Sequence, residues 1–380
     1  STNSTTLTLT GNTGSVTKWQ SSSVSNFASS VTDITNTSNS LTVTNISSTL
    51  YYRAVVTNGS CSAANSSVAT IQYNVPVGMS TLTPLVSQLS GNATTTITAS
   101  GVVGSNAVVS WYSGSGQVGL LGTGLTSPSV GVGTYYAVVT GSCGSSVELS
   151  TTIRRLNNWT GAINTLWNVP GNWSENVVPD ANMYVTIGTG KVAEIAANDA
   201  EAYNITVSGT GTLTVKSGKN LTLTNGFTTA SASSLVLENT ANLIQLSSTA
   251  NTTSITVKRD TNALIRLDYT MWSSPVTSQK LLAFSPLTSM SPTIRFYTYN
   301  TTTNFYNSVA SPSTTDFEAG KGYLIRLPYN HPTAPAVWTG AFTGIPNNGT
   351  KTVALSNIDD THQYNAVGNP YPSPISVAQF

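Results

Sequence analysis

The sequence predicts an all-β chain of tandem β-sandwiches followed by a β-solenoid-like region and a further β-sandwich. Three observations carry this. A segment Tyr51-Tyr52-Arg53-Ala54-Val55-Val56-Thr57 followed by Asn58-Gly59-Ser60-Cys61 returns as Tyr135-Tyr136-Ala137-Val138-Val139-Thr140-Gly141-Ser142-Cys143, so the chain opens with two copies of one small module. Only 8% of the residues are charged, against a norm near 25%, and Thr, Ser, Asn and Gly fill most polar positions, a composition that favours strands and turns over helices. Short apolar runs alternate with period two throughout, and 380 residues exceed what one ordinary core organises.

Residues 1–76 form the first module. Leu7 and Leu9, Val16 with Trp19, Leu41 and Val43, Tyr52, Ala54 and Val56, then Val68 and Ile71 mark its strands, and Gly, Asn and Ser turns separate them. Trp19 is its central aromatic, expected between two sheets. If Arg53 faces water, Tyr51 and Val55 share its face while Tyr52, Ala54 and Val56 point inward. Residues 77–155 repeat the pattern, with Ile97 and Ala99, Trp111 as the counterpart of Trp19, and Val130 and Val132 before Tyr135. Val75-Pro76-Val77 is the joint, and Arg154-Arg155 marks the end. Cys61 and Cys143 occupy matching positions, so a bridge between them is not expected: equivalent ends of successive modules lie farther apart than the roughly 7 Å a disulfide tolerates. A small buried thiol at each site is the other reading.

Residues 156–260 begin with three of the seven tryptophans, Trp159, Trp167 and Trp173, closed by Val178-Pro179-Asp180. Very short strands follow at close spacing: Ile205 and Val207, Leu213 and Val215, Leu221 and Leu223, Leu235 and Leu237, Leu243 and Leu246. Such steps leave no room for a crossover helix: they read as tight hairpins or as successive faces of a solenoid, and the solenoid is the favoured reading, with the tryptophans as a cap on its open end. Residues 261–380 carry the final β-sandwich. Phe296-Tyr297-Thr298-Tyr299 and Phe305-Tyr306 make an aromatic hairpin, and strands are expected at Gly322–Leu327, Val337–Gly340 and Val353–Leu355. The chain stops at Phe380 without a terminal strand, reading as a piece of a longer polypeptide.

The first module, with Leu7-Thr8-Leu9-Thr10-Gly11, Lys18-Trp19-Gln20 and Tyr52-Arg53-Ala54-Val55-Val56, resembles the Ig-like repeats of cell-surface proteins exported by the type IX secretion system of Bacteroidota. The tryptophan cluster, Asp268-Tyr269-Thr270-Met271-Trp272-Ser273-Ser274-Pro275-Val276, Phe317-Glu318-Ala319-Gly320-Lys321-Gly322-Tyr323 and Gly368-Asn369-Pro370-Tyr371-Pro372-Ser373-Pro374 extend the resemblance along nearly the whole chain. It implies an extracellular, cell-surface location, a gliding or attachment adhesin or an accessory part of a secreted enzyme, and the type IX secretion machinery and other surface proteins as partners. In similar modules a second cysteine often precedes the first strand, which would place the partner of Cys61 upstream of Ser1. The family's C-terminal sorting domain is missing here.

Chemistry-bearing clusters are few. A net charge of +1 with scattered Lys and Arg gives no footprint for nucleic acid, and no apolar run reaches the roughly 18 residues of a membrane span. No secretory signal begins at Ser1. His331 precedes a proline in a loop and is expected in solvent. His362 with Asp359 and Asp360 is the one metal-like grouping, without the spacing of a zinc motif. Asp316 and Glu318 alternate onto one face, as a glycosidase pair or as turn chemistry. Gly320-Lys321-Gly322 is a turn, not a phosphate loop. Sequons at Asn45, Asn65 and Asn172 are what an Asn/Ser/Thr-rich chain produces by chance. The expectation is therefore a non-enzymatic surface or adhesin segment with no cofactor, its Ig-like modules a spacer and its C-terminal β domains a binding or assembly platform. A carbohydrate-binding module is the alternative, on Trp272, Tyr297, Tyr299 and Tyr306, with polysaccharide as ligand. The accessory region of a secreted polysaccharide hydrolase is the third reading.

Overall fold

The computed structural model describes residues 3–376; the expectations attached to Ser1 and Phe380 lie outside the described residues. Two compact units divide the chain: residues 1–86 with 95–152, and residues 87–94 with 153–380. Among the described residues the only helical turns are Pro170–Asn172 and Leu281–Phe284, so no helix is long and apolar enough to cross a membrane.

The first unit holds both repeats. In the first, Ser4–Thr8 pairs antiparallel with Ser40–Thr44, and a second sheet runs Thr32–Ile34, Ser15–Ser22, Leu50–Thr57, Ala64–Asn65, with Ala69–Ile71 also on Leu50–Thr57. Leu41 from one sheet meets Val16, Trp19, Tyr52 and Ala54 from the other. Trp19 is 3% exposed and donates its indole N–H to the Ser38 carbonyl, so the buried ring keeps its polar atom satisfied. Trp111 does the same in the second repeat, fully buried and bonded to the Gly124 carbonyl. Both tryptophans are core residues, as the alternation predicts.

The register around Arg53 departs from expectation at one end. Tyr52 and Ala54 are buried, but Val55 is buried as well and Val56 only half so. A bulge between Val16 and Lys18 in the facing strand shifts the pairing there, which breaks strict alternation. Arg53 itself is not free in water: its guanidinium lies 4.1 Å over the Phe27 ring and donates to Gln20. Cys61 and Cys143 are free and exposed, which replaces the buried-thiol reading.

In the second unit the strands form a parallel β-solenoid. One sheet stacks Leu149–Asn158 (from Ile153 onward in this unit), Tyr184–Ile187, Ala200–Val207, Asn220–Thr229 and Asn242–Gln245; the other stacks Val192–Ile195, Thr212–Val215, Leu235–Leu237 and Ile255–Asp260. Registered residues superpose coil on coil, as in Val185, Ile205 and Phe227 on the inside and Thr186, Thr206 and Thr228 on the outside. This explains why apolar residues alternate with threonine: each inward side chain rests on its equivalents above and below, while Thr suits a half-wet pleated surface. Gln88–Leu89 adds to this unit by pairing with Arg154 and Arg155, and Glu175 clamps it by accepting from Gly91 N and ion-pairing with Arg155 at 2.6 Å.

The tryptophan cluster lies in this unit's core. Trp173 stands edge-on to both Trp159 and Trp167 with centroids 4.8 and 4.6 Å away, and its indole N–H donates to the Trp167 carbonyl. Asn172, wholly buried, holds the same loop: its Oδ1 accepts from Ile163 and Asn164 N–H, and its Nδ2 donates to Asn164 and Leu166. At the far end, Thr339–Pro346 pairs antiparallel with Ile255–Asp260 and on its other side with Val276–Thr277, ending the parallel stack of one sheet. The Gly368–Pro374 segment meets the edge of the other, where Leu243 N–H donates to the Pro372 carbonyl. Both ends of a parallel stack thereby acquire backbone or ring partners.

The final sandwich borrows from this closure. Its sheet runs Tyr269–Trp272, Tyr323–Arg326, Phe296–Asn300, Phe305–Ser308, all antiparallel. The facing layer is the Thr339–Pro346 strand, whose Phe342 stacks on Phe284 at 4.3 Å and meets Phe317 and Trp272 edge-on. Gly340 sits where a Cβ would come 2.5 Å from the Phe284 ring, so this strand can lie against the rings only without a side chain there. One core cluster runs from Trp159 to Phe342, so the expected boundary at 260/261 does not separate two cores. Val353–Leu355, expected as a strand, forms none.

Candidate functional site

Alternation in the four-stranded sheet assigns its side chains to two faces. Phe296, Tyr323, Ile325 and Trp272 point into the core. The opposite face carries Tyr297 and Tyr299 on one strand, Tyr306 across from Tyr299, Leu324 across from Tyr297, and Met271 across from Leu324. Tyr269 completes it at the edge.

These rings form a connected surface. Tyr299 and Tyr306 meet edge-on at 5.3 Å and Tyr269 and Tyr297 at 5.9 Å. Arg295 donates to the hydroxyls of both Tyr269 and Tyr297, and the bond to Tyr297 is the first cause holding its guanidinium above its ordinary pKa. Tyr299 bonds to Asn304 in the hairpin turn, and the Tyr306 hydroxyl reaches the Met271 sulfur at 3.6 Å. Tyr306 is 42% exposed and Met271 42%, and Phe305, next to Tyr306 on the edge strand of the sheet, 71%. A cavity of about 230 Å³ adjoins Tyr299, walled by Thr301, Lys321, Val353 and Asn365.

Trp272 is not part of this face. It is 8% exposed, with Phe284, Trp338 and Phe342 around its ring at 5.0, 5.6 and 5.9 Å. The correction has a simple cause: Met271 and Trp272 are consecutive in a strand, so only one can face outward, and the larger ring fills the core. Tyr269 and Met271 take its place. Sequence reasoning missed them because pairing across Tyr323–Arg326 decides which face they share.

Each of the remaining candidates Asp316, Glu318, His331 and His362 has a partner in the structure. Asp316 pairs with Lys280 at 3.0 Å and Glu318 with Lys321 at 3.1 Å, with buried Phe317 between them. The Tyr323 hydroxyl lies against Glu318, and burial pushes its pKa up to about 12. His331 is buried rather than solvated, its Nε2 2.9 Å from the Leu264 carbonyl and 3.2 Å from that of Ala336; it ties together the bridge those two residues form. His362 Nδ1 contacts Asp359 at 2.8 Å in an exposed turn, where hydrogen bonds from Thr361 first and His362 next hold the Asp359 carboxyl well below the usual range. The described residues contain no group of three or more His, Cys, Asp or Glu placed to hold a metal. Asn172, at one of the sequons, has its amide fully engaged inside the core.

A family described as a domain of unknown function, DUF8693, matches residues 158–380. The chain belongs to this family. The DUF8693 match therefore takes in the tryptophan cluster, the solenoid from its second coil, and the tyrosine-faced sheet as one body of sequence. A second family described as a domain of unknown function, DUF8696, matches residues 1–75. No curated protein matches the chain. Among solved structures, the amphioxus IgVJ-C2 molecule is similar at 12% identity over 40% of this chain and 95% of its own, with a TM-score of 0.28. Murine CEACAM1b gives 12%, 40% and 92% with 0.27, and the Clostridium thermocellum CbhA fibronectin(III)-like modules 14%, 40% and 86% with 0.21. Likeness at this level says nothing about a ligand for the DUF8693 region.

Proposed function

We propose that this chain is a non-enzymatic, extracellular surface segment of adhesin type, in which the tyrosine-lined face of the four-stranded sheet is the contact surface and the ligand is a polysaccharide. The single observation behind this reading is the row Tyr297, Tyr299 and Tyr306 with Met271 on the solvent side. Sugars present apolar C–H faces together with hydroxyls, and tyrosine offers a flat apolar ring with a polar tip. Contiguous apolar surface left in water is favoured only where something covers it. The Ig-like modules serve as a spacer in this reading. Export by the type IX secretion system rests on the motif resemblance, with that machinery and other surface proteins as partners.

Affinity electrophoresis against a panel of neutral and acidic polysaccharides tests the proposal. Retardation by at least one polysaccharide, lost in Tyr299→Ala/Tyr306→Ala, supports it. Retardation that survives the double substitution places binding elsewhere, and release of reducing sugar abolished by Glu318→Gln would replace the binding reading with an enzymatic one.

A further inference from the structure

Beneath the Gly368–Pro374 segment lies a cavity of about 360 Å³ lined by Arg259, Asn242, Met271, Trp272, Ser273 and Tyr371, among others. Arg259 is the only charged residue lining it among the described residues, and its charge is unmatched. Its neighbour Lys258 pairs with Glu238, but no carboxylate pairs with Arg259 among the described residues. Three hydrogen bonds engage its guanidinium, from Nη1 to the carbonyls of Glu238 (3.4 Å) and Lys258 (2.8 Å) and from Nη2 to that of Ala241 (3.0 Å). A guanidinium has five N–H donors, so one on Nε and one on Nη2 have no protein acceptor. Burial pushes the Arg259 pKa down, but arginine stays protonated in proteins, so the cation persists in a place that disfavours it. Trp272, its ring packed in the core, and Ser273 also line the cavity, and neither the buried indole N–H nor the buried hydroxyl has a hydrogen-bond partner.

Open N–H groups on a planar cation can receive the oxygens of a carboxylate. The cavity also adjoins the tyrosine face, because Met271 lines one and lies on the other. We infer that this cavity receives the carboxylate of an acidic sugar whose neighbouring units lie on the tyrosine face, so that the ligand class is a uronic-acid-containing polysaccharide. The sugar identity rests on the proposed function of the tyrosine face; the carboxylate site stands on Arg259 and its unmatched donors. Closure by the Gly368–Pro374 segment would hold the ligand away from water, where a charge-assisted pair gains most.

The experiment is a nitrogen-15 NMR titration of the wild-type protein, following the Arg259 Nε–H and Trp272 indole N–H signals, with galacturonate and with galactose as the ring lacking a carboxylate. Saturable shifts of the Arg259 signal with galacturonate and none with galactose are expected. Equal shifts with both sugars, or no shift with galacturonate at tens of millimolar, overturn the carboxylate site. Oligogalacturonate binding is then compared in Arg259→Gln and in Tyr299→Ala/Tyr306→Ala, each loss expected to exceed tenfold. Loss in Arg259→Gln alone keeps the carboxylate site and removes the tyrosine reading together with the extended polysaccharide. Loss in the tyrosine variant alone does the reverse. The titration uses the wild-type chain, so a folding defect in Arg259→Gln does not affect its outcome.

Discussion

The solenoid and the four-stranded sheet each bury one face and leave the other to solvent, yet they fill the outer face differently. On the solenoid, Thr186, Thr206 and Thr228 stack outward over the buried Val185, Ile205 and Phe227 positions. On the sheet, the outward positions opposite Phe296 and Tyr323 are Tyr297, Tyr299, Leu324 and Met271. A threonine row satisfies water and the pleat at once; a row of rings and thioether satisfies neither without a further partner. The difference teaches that strand composition here separates a wall from a contact surface, although both belong to one core cluster.

The largest effect tests the wall. Trp173→Ala removes the ring that touches both Trp159 and Trp167, and should cost about 3–5 kcal/mol in urea or guanidinium unfolding of the whole chain. A loss below about 1 kcal/mol would mean that the tryptophan loop is not part of the solenoid's core after all.

A smaller effect separates the two layers of the sheet by pH. The Tyr323 hydroxyl, raised from 10.0 to about 12 mainly by burial, keeps its proton in the folded chain after the unfolded chain has released it. Its contribution is complete below pH 10, and it falls between pH 10 and about 12. At about 1.4 kcal/mol per pH unit, this amounts to roughly 2–3 kcal/mol. The stability difference between wild type and Tyr323→Phe should narrow over that window, and a parallel pair of curves would show that the inner-face hydroxyl is not desolvated.

The smallest stability change carries the sharpest contrast. Thr206→Ala on the wall and Tyr306→Ala on the contact face should each alter unfolding free energy by no more than about 0.5 kcal/mol, the usual range for surface positions. Only Tyr306→Ala should weaken polysaccharide retardation. Equal effects of the two on binding would erase the distinction between the surfaces.

Much of this was legible before the structure. Period-two alternation named most strands of the first repeat, Trp19 and Trp111 as core, the solenoid's inward leucines from Leu213 to Leu243 and the Phe296–Phe305 hairpin, because a pleated strand with one buried face must alternate; it missed Thr81–Pro84 and Val118–Thr123, and the structure has only an isolated bridge at Val130 and an exposed Leu246. Arg53 shows the limit: its neighbours obeyed alternation until the Val16–Lys18 bulge, a pairing detail invisible in a single strand. Three of the four aromatic site candidates lie on one face. Trp272 does not, since the choice between Met271 and Trp272 for the outside belongs to the layer packed beneath them. His331 likewise reads as a loop residue until Leu264 and Ala336 are brought to its ring.

By itself, then, the sequence determined an all-β chain with repeated modules and a stacked middle, because strand period, turn residues and repeat spacing are local properties. Tertiary structure alone decided which residues close the solenoid, which ring lies in the core and where Arg259 ends without a counter-charge. Those outcomes depend on strand register and on segments distant in the chain, Pro372 on Leu243 and Phe342 on Phe284, whose meeting no local pattern encodes.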